Sequence, residues 1–173
     1  MNFRKLTLPV VVVMAALCIQ AGCRVKYSLS GASIHSDAKT VSIAHFPNNA
    51  AMVSPTLSAT FTDAMKDRFA NRTRLSEVPE NGDLSFEGEI TNYVDTPAMI
   101  SGDDDKATSN RLTITVRVTF ANRLEPQYNF NRSFSAYSDY PVSQTLMEAE
   151  SSLIPEIVEI LVNDIFNAAV SNW

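Results

Sequence analysis

The chain has 173 residues, of which 45% are hydrophobic, and its 19 acidic and 14 basic side chains give a formal net charge of −5. That length is enough for one domain with a real core. The acidic balance argues against a nucleic-acid partner, whose phosphates need a basic protein surface.

The N-terminus has the pattern of an export signal that ends in a lipidated cysteine. Arg4 and Lys5 supply a positive start, residues 6–17 supply a short apolar core, and Gln20-Ala21-Gly22-Cys23 places small residues before a cysteine. We therefore predict a lipoprotein signal peptide over residues 1–22, a lipid on Cys23 and a lipidated tether over residues 23–39. Gln20 departs from the Leu, Val or Ile usual at that position, so an ordinary secretory signal with a free thiol stays open. A spanning helix needs about 20 apolar residues, more than this run supplies.

Both cysteines of the chain, Cys18 and Cys23, lie in or at the end of this signal. Cys18 is the poorer candidate for lipidation because Leu17, and not a small residue, precedes it. The body of the protein therefore has no disulfide and no cysteine metal site, and its stability must come from the core.

Residues 40–46 alternate apolar and small polar side chains and predict a strand, which residues 47–49 end. A helix follows, with Ser54 as a suitable N-cap and Pro55 at the first helical position. We expect it to end near residues 71–72. Four apolar side chains at spacings of four residues would share one face of this helix: Leu57, Phe61, Met65 and Phe69.

Three long strands are predicted after residues 75–78, which favour a short strand or a connector. A loop over residues 97–110 separates the first two, and a turn near Pro126 precedes the third. Their alternation gives the sheet one face for a core and one for water or a partner. The core positions are Leu84, Phe86, Ile90, Val94, Leu112, Ile114, Val116, Val118, Phe120, Tyr128, Phe130 and Phe134. The polar positions are Glu87, Glu89, Thr91, Tyr93, Arg111, Thr113, Thr115, Arg117, Asn129, Asn131, Ser133 and Ser135.

Arg132 falls on the apolar side of this alternation. A bulge would explain it, and so would an edge position from which the long side chain reaches water.

The last element is a helix over residues 143–172 with a wide apolar stripe, and Pro155 inside it either kinks the helix or marks a restart. The sum is a single domain over residues 40–173. We predict an α+β two-layer sandwich, in which a four-stranded, mostly antiparallel or mixed sheet carries two helices on one face.

No catalytic constellation is visible in the sequence. The two histidines, His35 and His45, share no motif, and there is no phosphate loop or zinc-protease spacing. The acidic run at residues 103–105 does not match a calcium loop. Glu87 and Glu89 are better explained by cross-strand pairing with Arg111 or Arg117 than by paired catalysis. We therefore expect no enzyme activity, no metal and no cofactor.

Several phrases along the mature chain resemble the LptE family of lipopolysaccharide-assembly lipoproteins, in the form found in Bacteroidetes. They are residues 27–34, residues 38–43, Phe46-Pro47-Asn48, Pro55-Thr56-Leu57-Ser58, Gly88-Glu89-Ile90-Thr91, residues 110–116 and Asp164-Ile165-Phe166-Asn167.

The resemblance implies a lipid-anchored plug of the outer-membrane β-barrel LptD that assists barrel folding and lipopolysaccharide transport. Candidate contacts for lipopolysaccharide or the partner barrel are Arg111, Arg117 and Arg123, because basic groups bind the phosphates and carboxylates of lipopolysaccharide. Arg24-Val25-Lys26 lacks the acidic cluster that marks surface export in Bacteroidetes lipoproteins. We therefore expect a periplasm-facing anchor in the outer membrane. The alternative is a generic lipoprotein binding module or an accessory of another envelope machine.

Overall fold

The computed structural model describes residues 34–52, 54–100 and 107–170. Within these ranges, five strands and two helices follow one another along the chain. In order they are β1 (Thr40–Ile43), α1 (Leu57–Arg72), β2 (Ser76–Glu77), β3 (Leu84–Ile100), β4 (Ala107–Asn122), a single 3₁₀ turn (Pro126–Tyr128), β5 (Phe130–Pro141) and α2 (Leu146–Val170). The predicted signal peptide, Cys23 and the acidic run at residues 103–105 lie outside the described residues.

The strands form one mixed sheet in the order β2-β1-β3-β4-β5. β1 pairs in parallel with both β2 and β3, whereas the neighbours β3, β4 and β5 pair antiparallel. The predicted α+β sandwich is confirmed, with five described strands where four were expected, because Ser76 and Glu77 pair with Thr40 and Val41. β1 is shorter than predicted, although Ala44 and Asn49 still donate backbone hydrogen bonds to β3.

The core lies between the helices and one face of the sheet. β4 supplies its central row, in which every second side chain is at most 1% exposed: Leu112, Ile114, Val116, Val118 and Phe120. Phe69 of α1 joins the layers, with ring centroids 4.8 Å from Phe86 of β3 and 5.1 Å from Phe166 of α2. The predicted α1 row is also confirmed, because Leu57, Phe61, Met65 and Phe69 are all buried.

A bulge in β3 reverses the predicted alternation beyond Ile90. Ile90 pairs with Val116 but Asn92 pairs with the next residue back, Thr115, so Thr91 is an extra residue. Tyr93 consequently turns into the core and is 2% exposed, whereas Val94 is 36% exposed. The prediction of Val94 inside and Tyr93 outside was therefore wrong. The loop prediction for residues 97–110 was also wrong at both ends, because β3 continues to Ile100 and β4 begins at Ala107.

The two helices begin differently from the prediction. Ser54 is buried and its Oγ has no hydrogen-bond partner among the described residues, and α1 starts after Thr56, so Ser54 is not the N-cap. α2 starts at a capping box: the Glu148 carboxylate accepts from the backbone N and the hydroxyl of Thr145, at 2.8 Å each. Pro155 lies inside α2 without dividing it.

Arg132 lies on the helix side of β5, the outermost strand of the described sheet on that side. Its guanidinium carbon is 4.7 and 4.8 Å from the ring centroids of Phe130 and Phe134. The strand has no register shift there, so the edge explanation is the correct one. The guanidinium of Arg132 lies over the aromatic rings at the edge of the core and remains exposed to water.

Gly88 is required by the close approach of β3 to β4. A Cβ at this position would lie 2.0 Å from the carbonyl O of Arg117 and 2.6 Å from the Phe46 ring.

We predict that Gly88→Ala lowers the free energy of unfolding by roughly 1–3 kcal/mol, the usual range for overpacking. Chemical denaturation measures this, with Ser85→Ala on the same strand as the control. Equal stability of the two variants would contradict the packing described here.

Candidate interaction surface

The face of the sheet opposite the helices is not covered by any described element. We call it the open face and define it by outward side chains of three strands: Ser85, Glu87, Glu89, Val94 and Thr96 of β3; Arg111, Thr113, Thr115, Arg117 and Thr119 of β4; and Asn131, Ser133, Ser135, Tyr137 and Asp139 of β5. Most of these side chains are hydroxyls, amides or charges. Asn129, predicted to belong here, instead precedes β5.

Arg111 is fixed by two neighbours on β5. Its Nε and Nη2 donate to the two carboxylate oxygens of Asp139 at 2.7 and 2.9 Å. Its guanidinium carbon also lies 3.7 Å from the ring centroid of Tyr137. This bidentate pair lowers the pKa of Asp139 and raises that of Arg111. The result is a rigid cation–aromatic group on the open face, of the kind enriched at the centres of protein interfaces.

Arg117 makes the cross-strand pair expected from the sequence. It stands opposite Glu89 in the register, and its Nη1 donates to Glu89 Oε1 at 3.1 Å. The other carboxylate oxygen of Glu89 accepts from the amide of Asn49 at 2.7 Å. Glu89 is therefore held in a hydrogen-bonding network.

Arg123 lies just beyond the end of β4 and pairs with Asp83. Oδ1 of Asp83 accepts from Arg123 Nη2 at 2.5 Å, and Oδ2 accepts from the backbone N of Lys39, the backbone N of Thr40 and the Thr40 hydroxyl, at 2.9–3.0 Å. These donors, with the Lys39 N–H the strongest, hold the pKa of Asp83 far below its usual range. Asp83 thereby ties the start of β1 to the start of β3 and the end of β4.

The three candidate arginines do not converge on one point. Arg111 and Arg117 are six residues apart on one strand, a separation of about 20 Å at roughly 3.3 Å per residue, and Arg123 follows β4. Each already has a carboxylate partner. The exposed side-chain fraction rises from 36% for Arg111 to 54% for Arg117 and 65% for Arg123. Arg123 thus has the most surface left for a ligand.

The partners of these arginines were mostly missed in the sequence. The sequence pattern identifies only Glu89 as a partner, and it does not identify Asp83, Tyr137 or Asp139. The β4–β5 register places Asp139 opposite Arg111 and Tyr137 two residues away on β5. These contacts were missed because the sequence of one strand does not reveal its register with the next.

A serine and a histidine also meet, at the start of α1. Ser58 Oγ lies 3.0 Å from His45 Nε2, but its proton is donated to the carbonyl O of Phe46. A nucleophile needs that proton to pass to the base, so the arrangement is a helix-start contact and not a catalytic pair.

In residues 34–52, 54–100 and 107–170, no group of three or more His, Cys, Asp or Glu side chains could hold a metal ion. Neither of the helices described above is long and apolar enough to cross a membrane.

Residues 34–39, the last part of the predicted tether, contact the domain. Ile34 packs against the core, the backbone N–H of Lys39 donates to Asp83, and the carbonyl O of Lys39 accepts from the backbone N of Ser76. The chain is therefore held to the sandwich before β1 begins.

A family model described as LptE, Lipopolysaccharide-assembly, matches residues 38–169 of the chain. No match was found among curated proteins.

Three solved structures are similar to the chain at low sequence identity. The hypothetical protein CT253 from Chlamydia trachomatis has a TM-score of 0.53 and 9% identity, with 78% of this chain and 99% of that one covered. A minor lipoprotein from Acinetobacter baumannii has a TM-score of 0.46 and 18% identity, covering 75% and 91% of the two chains. Lipoprotein B from Nitrosomonas europaea has a TM-score of 0.49 and 12% identity, covering 75% and 80%. The first of these similarities supports the two-layer fold alone.

The hydrogen bonds to Asp83 predict an acid-sensitive fold. A carboxyl whose folded pKa is lowered stabilises the protein above its unfolded pKa of about 3.9, and that stabilisation is lost as the pH falls toward the folded pKa. We expect the free energy of unfolding to decline as the pH is lowered from 5 toward 2. Asp83→Asn should be less stable at pH 7 and less dependent on pH in this window. Denaturant titrations across pH measure both, with the exposed Asp164→Asn as the control.

An Asp83→Asn variant with the wild-type slope against pH would contradict this role of Asp83.

Proposed function

This chain belongs to the LptE family of lipopolysaccharide-assembly proteins, and from that premise we propose that it is a lipid-anchored, non-enzymatic plug of an LptD-like β-barrel. In this role it supports lipopolysaccharide transport and insertion at the outer membrane. Its lipid is on Cys23, after a signal peptide over residues 1–22, and the domain faces the periplasm. The predicted tether over residues 23–39 links this lipid to the domain.

The open face is the observation that carries the plug proposal. A bacterial barrel lumen is polar, so a protein that fills it needs a polar surface. The open face meets this need with Thr, Ser and Asn side chains. On docking, these side chains would replace their hydrogen bonds to water with hydrogen bonds to the lumen wall of the barrel.

Four of the five charges of the open face are paired. Burying an unpaired charge costs more than burying a charge that keeps its partner, because the pair retains its mutual attraction when it loses hydration. Arg111 keeps Asp139 and Arg117 keeps Glu89. The open face therefore presents two matched pairs and one further carboxylate, Glu87, and the Arg111–Tyr137 stack gives it one anchor.

The generic binding module remains the second candidate, because a groove lies between the two helices. It has a volume of about 330 Å³, with Ala64, Val158 and Val162 among its lining residues. Asp67, Arg68, Arg72 and Glu159 also line it. A soluble ligand in this groove, together with normal lipopolysaccharide export in cells that lack the protein, would favour this candidate.

The plug proposal predicts that the centre of the open face tolerates no bulky charge. Ser135 is exposed on β5 and its Oγ lies 3.1 Å from that of Thr115. Ser135→Arg should reduce capture of the barrel from detergent-solubilised outer membranes at least tenfold, because the larger side chain would hold the open face away from the barrel lumen. Ser151→Arg, the same change on the exposed side of α2, should leave capture unchanged. Normal capture by Ser135→Arg would rule out this face as the barrel contact.

A lipopolysaccharide contact by the arginines of the open face is tested separately. Glutamate substitutions would set like charges against Asp139 and Glu89, so glutamine is the cleaner change. We expect Arg111→Gln combined with Arg117→Gln to weaken retention of lipopolysaccharide a few-fold, because two paired cations lose their share of phosphate contact. Arg74→Gln, at an exposed position between α1 and β2, is the control. Retention equal to wild type would assign both arginines to pairing within the sheet.

A further inference from the structure

The loop between β4 and β5, residues 123–129, carries two exposed apolar side chains at the end of the sheet where β3 begins. Leu124 is 39% exposed and Tyr128 is 41% exposed. The loop backbone is held in shape, because Oδ1 of Asn122 accepts from the backbone N of Leu124 at 3.0 Å and from that of Glu125 at 2.9 Å. The backbone N of Tyr128 donates in turn to the carbonyl O of Glu125 at 3.1 Å. The loop therefore presents both apolar side chains to solvent from a fixed backbone.

The predicted tether reaches the domain beside this loop. The backbone N of Lys39 donates to Oδ2 of Asp83 at 2.9 Å, and Oδ1 of the same carboxylate accepts from Arg123 Nη2 at 2.5 Å. One carboxylate thus joins the incoming chain to the first residue of the loop. The eleven residues 23–33 lie outside the described part of the chain, and eleven residues span at most about 40 Å when fully extended. A bilayer that holds Cys23 is therefore within about 40 Å of the domain.

The opposite end of the sheet carries a comparable apolar pair, so exposure alone does not select an end. Val142 and Met147 are both exposed where β5 ends and α2 begins. Two such side chains would hold a bilayer only weakly from solution, since even one myristoyl chain gives marginal membrane binding. A tether makes the contact intramolecular and raises the effective concentration of the bilayer to the order of millimolar. The tether favours the end that carries the β4–β5 loop, because the chain enters the domain there.

We propose that the β4–β5 loop docks on the lipid surface that holds the anchor. Leu124 enters the boundary of the acyl chains, and Tyr128 lies at the level of the headgroups, where an aromatic ring with a hydroxyl is favoured. Arg123 and Glu125 flank Leu124 with opposite charges, so the contact is apolar and needs no anionic lipid. The domain then stands with the start of β3 toward the bilayer and the start of α2 away from it. The lipid on Cys23 rests on the function proposed above, and this orientation goes beyond that function.

The test anchors the protein chemically, so that its outcome does not depend on lipidation in the cell. The mature chain, in which Cys23 is the one cysteine, is coupled to phosphatidylcholine vesicles that contain a maleimide-bearing lipid. Trp173→Phe removes the one native tryptophan, and Tyr128→Trp or Met147→Trp then places a reporter at either end of the sheet. We expect brominated acyl chains to quench the fluorescence at position 128 at least twofold and to leave position 147 unchanged. Equal quenching at the two positions, or none at position 128, would overturn the proposal.

Leu124→Ser is the decisive variant, because it removes the apolar side chain and keeps the exposed loop. Added to the Tyr128→Trp reporter, it should abolish at least half of the quenching. Val142→Ser makes a comparable change at the opposite end and should leave the quenching as it was. Undiminished quenching with Leu124→Ser would mean that the tether alone brings the loop near the bilayer, and the docking contact would be refuted. Quenching that appears only when phosphatidylglycerol is added would refute its apolar basis.

Two parallel measurements separate this proposal from the function proposed above. Capture of the barrel by Leu124→Ser should equal that of the wild type, and a loss of capture without any vesicle quenching would assign the loop to a protein partner and overturn the proposal. The mass of the protein extracted from membranes shows whether Cys23 carries acyl chains. An unmodified Cys23 together with full quenching at position 128 would refute the cellular anchor and support the loop as a membrane contact.

Discussion

The one-sided burial of the antiparallel sheet is the constraint on which the rest of this structure depends. Every second side chain of β4 is buried from Leu112 to Phe120, and burying each such side chain contributes about 1.5–3 kcal/mol. With no cysteine after Cys23, this apolar layer against α1 and α2 is the main source of stability. A slip of one residue in register would expose the whole row, so the pairing of β3, β4 and β5 is strongly fixed.

The same alternation determines the other face. From Leu112 to Val118, each inward apolar residue of β4 is followed by an outward polar residue. The register of the strands then decides which of these polar residues meet across the sheet. It brings Arg117 beside Glu89 and Arg111 beside Asp139. The open face is consequently polar, ordered and nearly matched in charge. A surface of this kind suits docking against a hydrated wall better than it suits capture of a strongly charged polymer.

The features that could be predicted from the sequence are those with a local period. The β4 alternation and the four-residue spacing in α1 each follow from neighbours in the chain. The bulge at Thr91 could not be predicted, because an extra residue in one strand can be recognised only from its pairing with the neighbouring strand. Because of this bulge, Tyr93 and not Val94 lies in the core. Ser54 has the chemistry of a cap, yet Thr56 precedes the first helical turn. The hydrogen bonds that Asn122 and Asn129 accept from the backbone could not be predicted either, because only the folded chain brings those groups together.

The claim that the open face is covered in the cell can be tested by thiol labelling. Because no cysteine follows Cys23, a single cysteine introduced at Ser135 on the open face, or at Ser151 on α2, serves as a reporter. A membrane-impermeant maleimide is added to opened outer membranes and, separately, to the purified domain. We expect the cysteine at position 135 to be labelled in the purified domain and protected in membranes, while the cysteine at position 151 is labelled in both. Equal labelling of the two positions in membranes would contradict it.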